Sequence, residues 1–193
     1  MGIGLVASPN PHFLPDKSEL MNNKILVTYT SRTGSTAEVA EAIGKTLAES
    51  GAQVDVISMN DVKDLTPYRA VVAGSAIRGS KWLPEAMQFI QTHQSELAKK
   101  PFAEFTVCIT LAMSNSEQYR QSVSKWVAPV RAQVRPVSEG IFAGMLDFKK
   151  LPINLDTLLL RLSVALGIFP PGDHRDWNAI RAWAENLEPQ LTA

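Results

Sequence analysis

Apolar runs alternate with stretches of helical period along residues 24–187, and that rhythm constrains the fold more than any other feature of the chain. Residues 24–29, KILVTY, read as a buried strand. Residues 36–50 place Val39, Ala40, Ile43 and Leu47 on one helical face, closed by Ser50-Gly51. Residues 53–58 alternate as a short strand. Residues 70–75, AVVAGS, lack polar alternation and read as a strand buried on both faces. A helix at 83–92, a strand at 102–111 and a helix at 116–134 follow, with Pro129 expected to bend or break that helix. Residues 137–145, VSEGIFAGM, predict a fifth strand. An apolar helix at 155–166, the turn FPPGD and a last helix at 175–187 complete the pattern. Strands separated by helices build βαβ units and a parallel sheet. The expected fold is α/β, a doubly wound five-stranded parallel sheet with helices on both faces.

The 193 residues suit one domain with a full core. Residues 1–20 hold three prolines and no clear period, and are expected to be an N-terminal extension ahead of a domain at 21–193. A formal net charge of zero gives no basic footprint for nucleic acid. Cys108 is the single cysteine, so no intrachain disulfide forms, which fits a reducing, cytoplasmic compartment. It is expected to pack as a small hydrophobe. The three histidines lie far apart without ligand spacing, so no metal site is expected.

The loop TSRTGST, residues 30–36, joins the first strand to the first helix. In doubly wound sheets, ligands bind at the carboxyl ends of the strands. The first helical amides lack intrahelical partners there, and the helix dipole favours an anion. Ser31, Thr33, Ser35 and Thr36 add hydroxyls, and Gly34 lets the backbone approach closely. A phosphate monoester fits such a loop; so does the plainer reading of a well-capped helix that binds nothing. The run Gly44-Lys45-Thr46 is no P-loop, because Val39 stands where glycine is needed and the run lies inside a helix.

The stretch VTYTSRTGSTAEVAEAI resembles the flavodoxin signature. Tyr29, Ser31, Gly34, Thr36, Ala40 and Ile43 match, whereas Thr28 departs from the apolar residue preferred there. The resemblance implies strand order 2-1-3-4-5 and an FMN cofactor whose phosphate is held by Ser31, Arg32, Thr33, Gly34, Ser35 and Thr36. Two further loops would hold the flavin ring: Ser75, Ala76, Ile77, Arg78, Gly79 and Trp82 after the third strand, and Leu111, Ala112, Met113 and Ser114 after the fourth. Trp82 either stacks on the ring or anchors the following helix. Arg32 and Arg78 would favour an oxidising flavin, and Gly79 would let a peptide carbonyl turn toward it.

Arg32, the run Ala76-Ile77-Arg78, the pair Ala143-Gly144 and Asp176-Trp177 are similar to one branch, the flavodoxin-type menaquinone-dependent protoporphyrinogen dehydrogenases. This implies a porphyrinogen or quinone substrate. Phe148, Lys149 and Lys150 are candidate substrate contacts, an apolar wall with cations for carboxylates. The neutral charge speaks against a soluble electron carrier, which is typically acidic. A carrier, an NAD(P)H:quinone-type reductase and a flavin-free interaction module with the same fold remain alternatives. Leu158, Leu159, Leu162 and Leu166 share one helical face, expected in the core. A peripheral membrane contact would instead set Lys149 and Lys150 beside lipid headgroups.

Overall fold

The computed structural model describes residues 24–113, 116–150 and 155–192. The expected extension at 1–20 and Ser114 lie outside them. The main sheet is built from β1 (Lys24–Thr30), β2 (Gln53–Ser58), β3 (Tyr68–Arg78), β5 (Phe102–Cys108) and β6 (Ser138–Ala143). These five pair in parallel in the order β2-β1-β3-β5-β6, the expected topology.

Both faces of the sheet are covered because its side chains alternate between two apolar sets. Ile25, Val27, Ala70, Val72, Ala103 and Phe105 face α1 (Ser35–Glu49) and the C-terminal helix α6 (Trp177–Leu187). Leu26, Val71, Ala73 and Phe102 face α2 (Pro84–Thr92) and α4 (Ser116–Arg131). The short α3 (Gln94–Leu97) extends α2 and buries Leu97. α1 contributes Val39, Ala40, Ile43 and Leu47, all fully buried, which is the stripe its periodicity predicts. α4 runs through Pro129 instead of ending there, and still buries Val123, Val127 and Val130.

Departures from the expected elements cluster at the carboxyl end of the sheet. β3 runs beyond residue 75 because β4 (Lys81–Trp82) folds back on it, Arg78 pairing with Lys81. The two turn residues, Gly79 and Ser80, have φ of 56° and 60°. Both left-handed positions are what a type I′ hairpin requires. β5 stops at Cys108 and continues as a 3-10 turn, Ile109–Ala112. The expected strand at 137–145 breaks at Gly144, after which β7 (Met145–Leu146) pairs antiparallel with β8 (Gly172–Asp173).

Between these two strands lie a 3-10 turn, Phe148–Lys150, and the helix α5 (Leu155–Ala165). The expectation that its leucines pack in the core is corrected here. Leu155, Leu158, Leu159 and Leu162, with Leu166 just past the helix end, are each more than half exposed. The inward face instead carries Thr157, Leu160 and Val164. Leucine periodicity marks a stripe without saying which way it points.

One buried polar group on β5 resists the apolar pattern. Glu104 is 2% exposed, and its Oε2 has no hydrogen-bond partner. It stands in register with Glu139 of β6, whose carboxylate is held by Arg131 at 2.6 Å. Burial first, and the Glu139 charge second, push the Glu104 carboxyl up to about 8, while Arg131 works against the rise. The folded-state value lies above the unfolded one of 4.5, so this stabilisation is full below pH 4.5 and is lost as pH rises toward 8. The slope approaches ~1.4 kcal/mol per pH unit. Glu104→Gln should abolish that slope and raise stability at pH 8 relative to wild type. Urea unfolding at pH 5 and pH 8 measures both; parallel pH profiles would contradict this account of Glu104.

Candidate functional site

At the end of β1 the chain turns through Ser31–Gly34 into α1. Gly34 occupies the helix cap with φ 92°, a left-handed conformation that few residues other than glycine adopt. The Ser31 hydroxyl accepts from the Gly34 amide at 3.0 Å, which closes the turn. The first intrahelical bond follows, Glu38 N–H to the Gly34 carbonyl at 3.0 Å. No side chain caps α1. Thr36 is fully buried, and its Oγ1 has no partner. A helix start with uncapped amides and an orphaned buried hydroxyl is built to receive an acceptor-rich anion.

The turn opens onto a cavity of about 370 Å³. Arg32, Thr33 and Ser35 line its α1 end, and Ala76, Ile77 and Arg78 come from the end of β3. Leu83, Val107 and Ile109 form an apolar floor, and Gly144, Met145, Thr157 and Leu160 close the side formed by β7 and α5. β3 and β5 contribute from their carboxyl ends, the residues that follow β1 and β6 join them, and β1 and β3 flank the point where strand order reverses. The cavity offers one polar end and an apolar slot, the shape that suits a planar ring carrying an anionic arm.

The family model described as "Flavodoxin domain" matches residues 26–162. The chain belongs to the flavodoxin domain family. Solved flavodoxins share the fold: one from the domain Archaea superposes with a TM-score of 0.52 at 17% identity, over 88% of this chain and 99% of that one. One from Streptococcus pneumonia TIGR4 gives 0.55 at 15%, over 87% and 99%. Two relatives carry the name "Protoporphyrinogen IX dehydrogenase [quinone]". That of Leishmania major is 25% identical over 85% of this chain and 74% of its own length. That of Escherichia coli (strain K12) is 25% identical over 66% of this chain and 71% of its own.

Within this flavodoxin-family site, most charges are already engaged. Arg32 donates to both Glu85 oxygens at 2.7 and 2.9 Å, so its cation is shared with a carboxylate across the loop. The Glu85 carboxyl is lowered first by its own backbone amide and then by Arg32. Arg78 lines the cavity from the exposed end of β3. Cys108 is buried beside Thr110, and burial pushes its thiol up, which fits packing rather than reactivity. Among the described residues no cluster of His, Cys, Asp and Glu has the grouping of a metal site.

Several expected contacts sit elsewhere. The Trp82 ring is 3% exposed, and its Nε1 donates to Thr106 Oγ1 at 2.9 Å. Of its two readings, this geometry is that of an anchor; the ring is not open for stacking. Ser75 is spent inside the fold, donating to the Ala76 carbonyl and accepting from the Leu83 amide. Leu111 packs into the core against α4, and Ala112 and Met113 do not line the cavity; Ile109 does. Gly79 serves the hairpin. Phe148 and Lys149 line a separate hollow next to the cavity, with Met145 common to both, and the Arg161 guanidinium lies 5.2 Å over the Phe148 ring. Lys150 contributes backbone to the 3-10 turn.

Sequence reasoning missed Leu83, Val107, Ile109, Met145, Thr157 and Leu160 as lining residues. The Ala143-Gly144 pair was a usable signal, since Gly144 is where β6 ends and the wall begins. Trp82→Phe should cost about 1–3 kcal/mol by leaving the buried Thr106 hydroxyl unpaired. Denaturant unfolding checks this, and unchanged stability would remove the anchoring role.

Proposed function

We propose that this chain binds FMN in the cavity and works as an oxidoreductase that takes electrons from a porphyrinogen-class donor and passes them to a quinone. The observation that carries the reading is the Ser31–Gly34 turn, which feeds an uncapped helix start beside the orphaned Thr36 hydroxyl. Such a site fits the flavin's phosphate, and the apolar floor of Leu83, Val107 and Ile109 fits its ring. The names of the relatives supply the substrate classes.

When bound, FMN supplies the two-electron redox chemistry. The chain's own residues hold and shape. Thr33, Ser35 and the first amides of α1 bind the phosphate, and Ala76 and Ile77 border the ring edge. Met145, Thr157 and Leu160 form a wall that excludes water and leaves room for a large apolar partner. A neutral chain suits such an enzyme better than it suits an acidic carrier.

The outward leucines of α5 suit a lipid surface. Leu155, Leu158, Leu159, Leu162 and Leu166 fall within an arc of about 100°. Arg161 borders that stripe, and the opposite side of the same helix walls the cavity. Among the described residues no helix is long and apolar enough to cross a membrane, so the contact would be peripheral. A lipid-soluble quinone would then meet the cavity at its own phase boundary.

Thr33→Ala combined with Ser35→Ala should weaken FMN about ten- to a hundredfold through lost charge-assisted hydrogen bonds from two hydroxyls that line the cavity, unlike the fully buried Thr36. Riboflavin should bind far more weakly than FMN to the wild type. Equal affinities by fluorescence titration would take this loop out of the site. The FMN-loaded protein should oxidise protoporphyrinogen with a menaquinone and no added protein partner; turnover only with a partner protein would favour a carrier.

Cosedimentation with vesicles containing anionic lipid tests the stripe. Leu158→Glu combined with Leu162→Glu should cut binding about tenfold or more, since each buried leucine contributes about 1.5–3 kcal/mol. Wild-type protein left wholly in the supernatant would exclude the lipid contact.

A further inference from the structure

Arg175 carries its charge on a side chain only 3% exposed. Asp176 caps α6 by accepting from the Asn178 and Ala179 amides at 3.0 Å each, so the helix begins at Trp177 and Arg175 stays in the loop after β8. Its guanidinium is fully engaged. Nε and Nη2 grip the two Asp173 oxygens at 2.8 and 2.7 Å. Nη1 reaches Glu38 Oε2 at 2.8 Å and the Ser35 carbonyl at 3.3 Å. The group stacks 4.4 Å over the Trp177 ring, and Nη2 lies 3.7 Å from Met145 Sδ. Ser35 and Met145 both line the cavity, whereas Arg175 does not.

The charge arithmetic at this corner is unusual for an anion site. Glu38 stands in the first turn of α1, with Asp173 close behind it. Two carboxylates there would repel a phosphate arriving at the same helix start. One cation offsets one of them and ties both back, while fixing the paired strands β7 and β8 to α1. The Asp173 carboxyl is held below its usual range chiefly by the Arg175 hydrogen bond, so it stays charged and dependent on that partner.

We propose that Arg175 is a positioning residue that lets the α1 end of the cavity discriminate a phosphorylated flavin from an unphosphorylated one, by offsetting one of the two charges on Glu38 and Asp173 and holding both carboxylates away from the phosphate. This inference rests on the FMN reading above and adds to it the residue that makes the phosphate welcome. A purely structural Arg175 would support both ligands alike. An electrostatic one supports only the ligand with the phosphate.

The test compares FMN and riboflavin binding by fluorescence titration in four proteins: wild type, Arg175→Met, Arg175→Lys, and Arg175→Met combined with Glu38→Gln. Arg175→Met should lose about tenfold or more in FMN affinity and less than about threefold for riboflavin. Adding Glu38→Gln should restore most of the loss, and Arg175→Lys should keep most of the preference for FMN. Equal losses for both ligands, unrelieved by Glu38→Gln, would overturn the inference and leave the FMN reading of the wild-type chain standing. Wild-type protein that binds neither flavin would overturn the FMN reading and this inference with it. Should Arg175→Met fail to fold by circular dichroism, Arg175→Lys with and without Glu38→Gln decides: removing one carboxylate while a cation remains should raise the FMN-to-riboflavin ratio above that of Arg175→Lys alone, and an unchanged ratio would overturn the inference.

Discussion

The central sheet is covered by α1 and α6 on one face and by α2 and α4 on the other, and that double burial decides where polar chemistry can sit. Ile25, Leu26, Val27, Val71 and Val72 are fully buried, so the strand middles have no room for a ligand. Polar groups placed there carry a cost, as the unpaired Thr28 hydroxyl and the Glu104 carboxyl do. Chemistry is displaced to the carboxyl ends of the strands. There the backbone leaves the sheet through Ser31–Gly34, the Gly79-Ser80 hairpin, the Ile109–Ala112 turn and the break at Gly144.

What assembles at that edge is a site whose charges are arranged in pairs. Arg32 answers Glu85 across the loop, and Arg175 answers Glu38 and Asp173 beneath it. One carboxylate charge is left over beside the helix start, but Arg175 ties both Glu38 and Asp173 back, and neither lines the cavity that the α1 amides and dipole face. The opposite wall is apolar on both sides of one helix: Leu160 faces the cavity, and the leucine stripe faces outward. Polar end, apolar slot and outer surface are thus contiguous within one edge of the fold.

The five main strands and the stripe of α1 were legible in the sequence, because strands buried on both faces and a one-sided helix leave unmistakable periods, whereas the strand order came from the resemblance to flavodoxins. The Ser31–Gly34 turn was legible too, since hydroxyls around one glycine before a helix have few other uses. The rest depended on information that periodicity does not carry. Trp82 was ambiguous because an aromatic beyond a strand either anchors or stacks, and only its bond to Thr106 decides. The α5 leucines gave a clear stripe with no direction. Arg175 was invisible as a buried group because its partners lie far off in sequence (Glu38) or in the unforeseen strand β8 (Asp173), and because the helix start was placed two residues early, absorbing it into α6.

The central claim is that the uncapped start of α1 and the cavity beside it form an FMN site. The most direct measurement is the visible absorbance of the protein after incubation with excess FMN and removal of free flavin. This account predicts retained flavin absorbance equal to one FMN per chain. Protein that emerges colourless, with unbound FMN recovered in full, would contradict it.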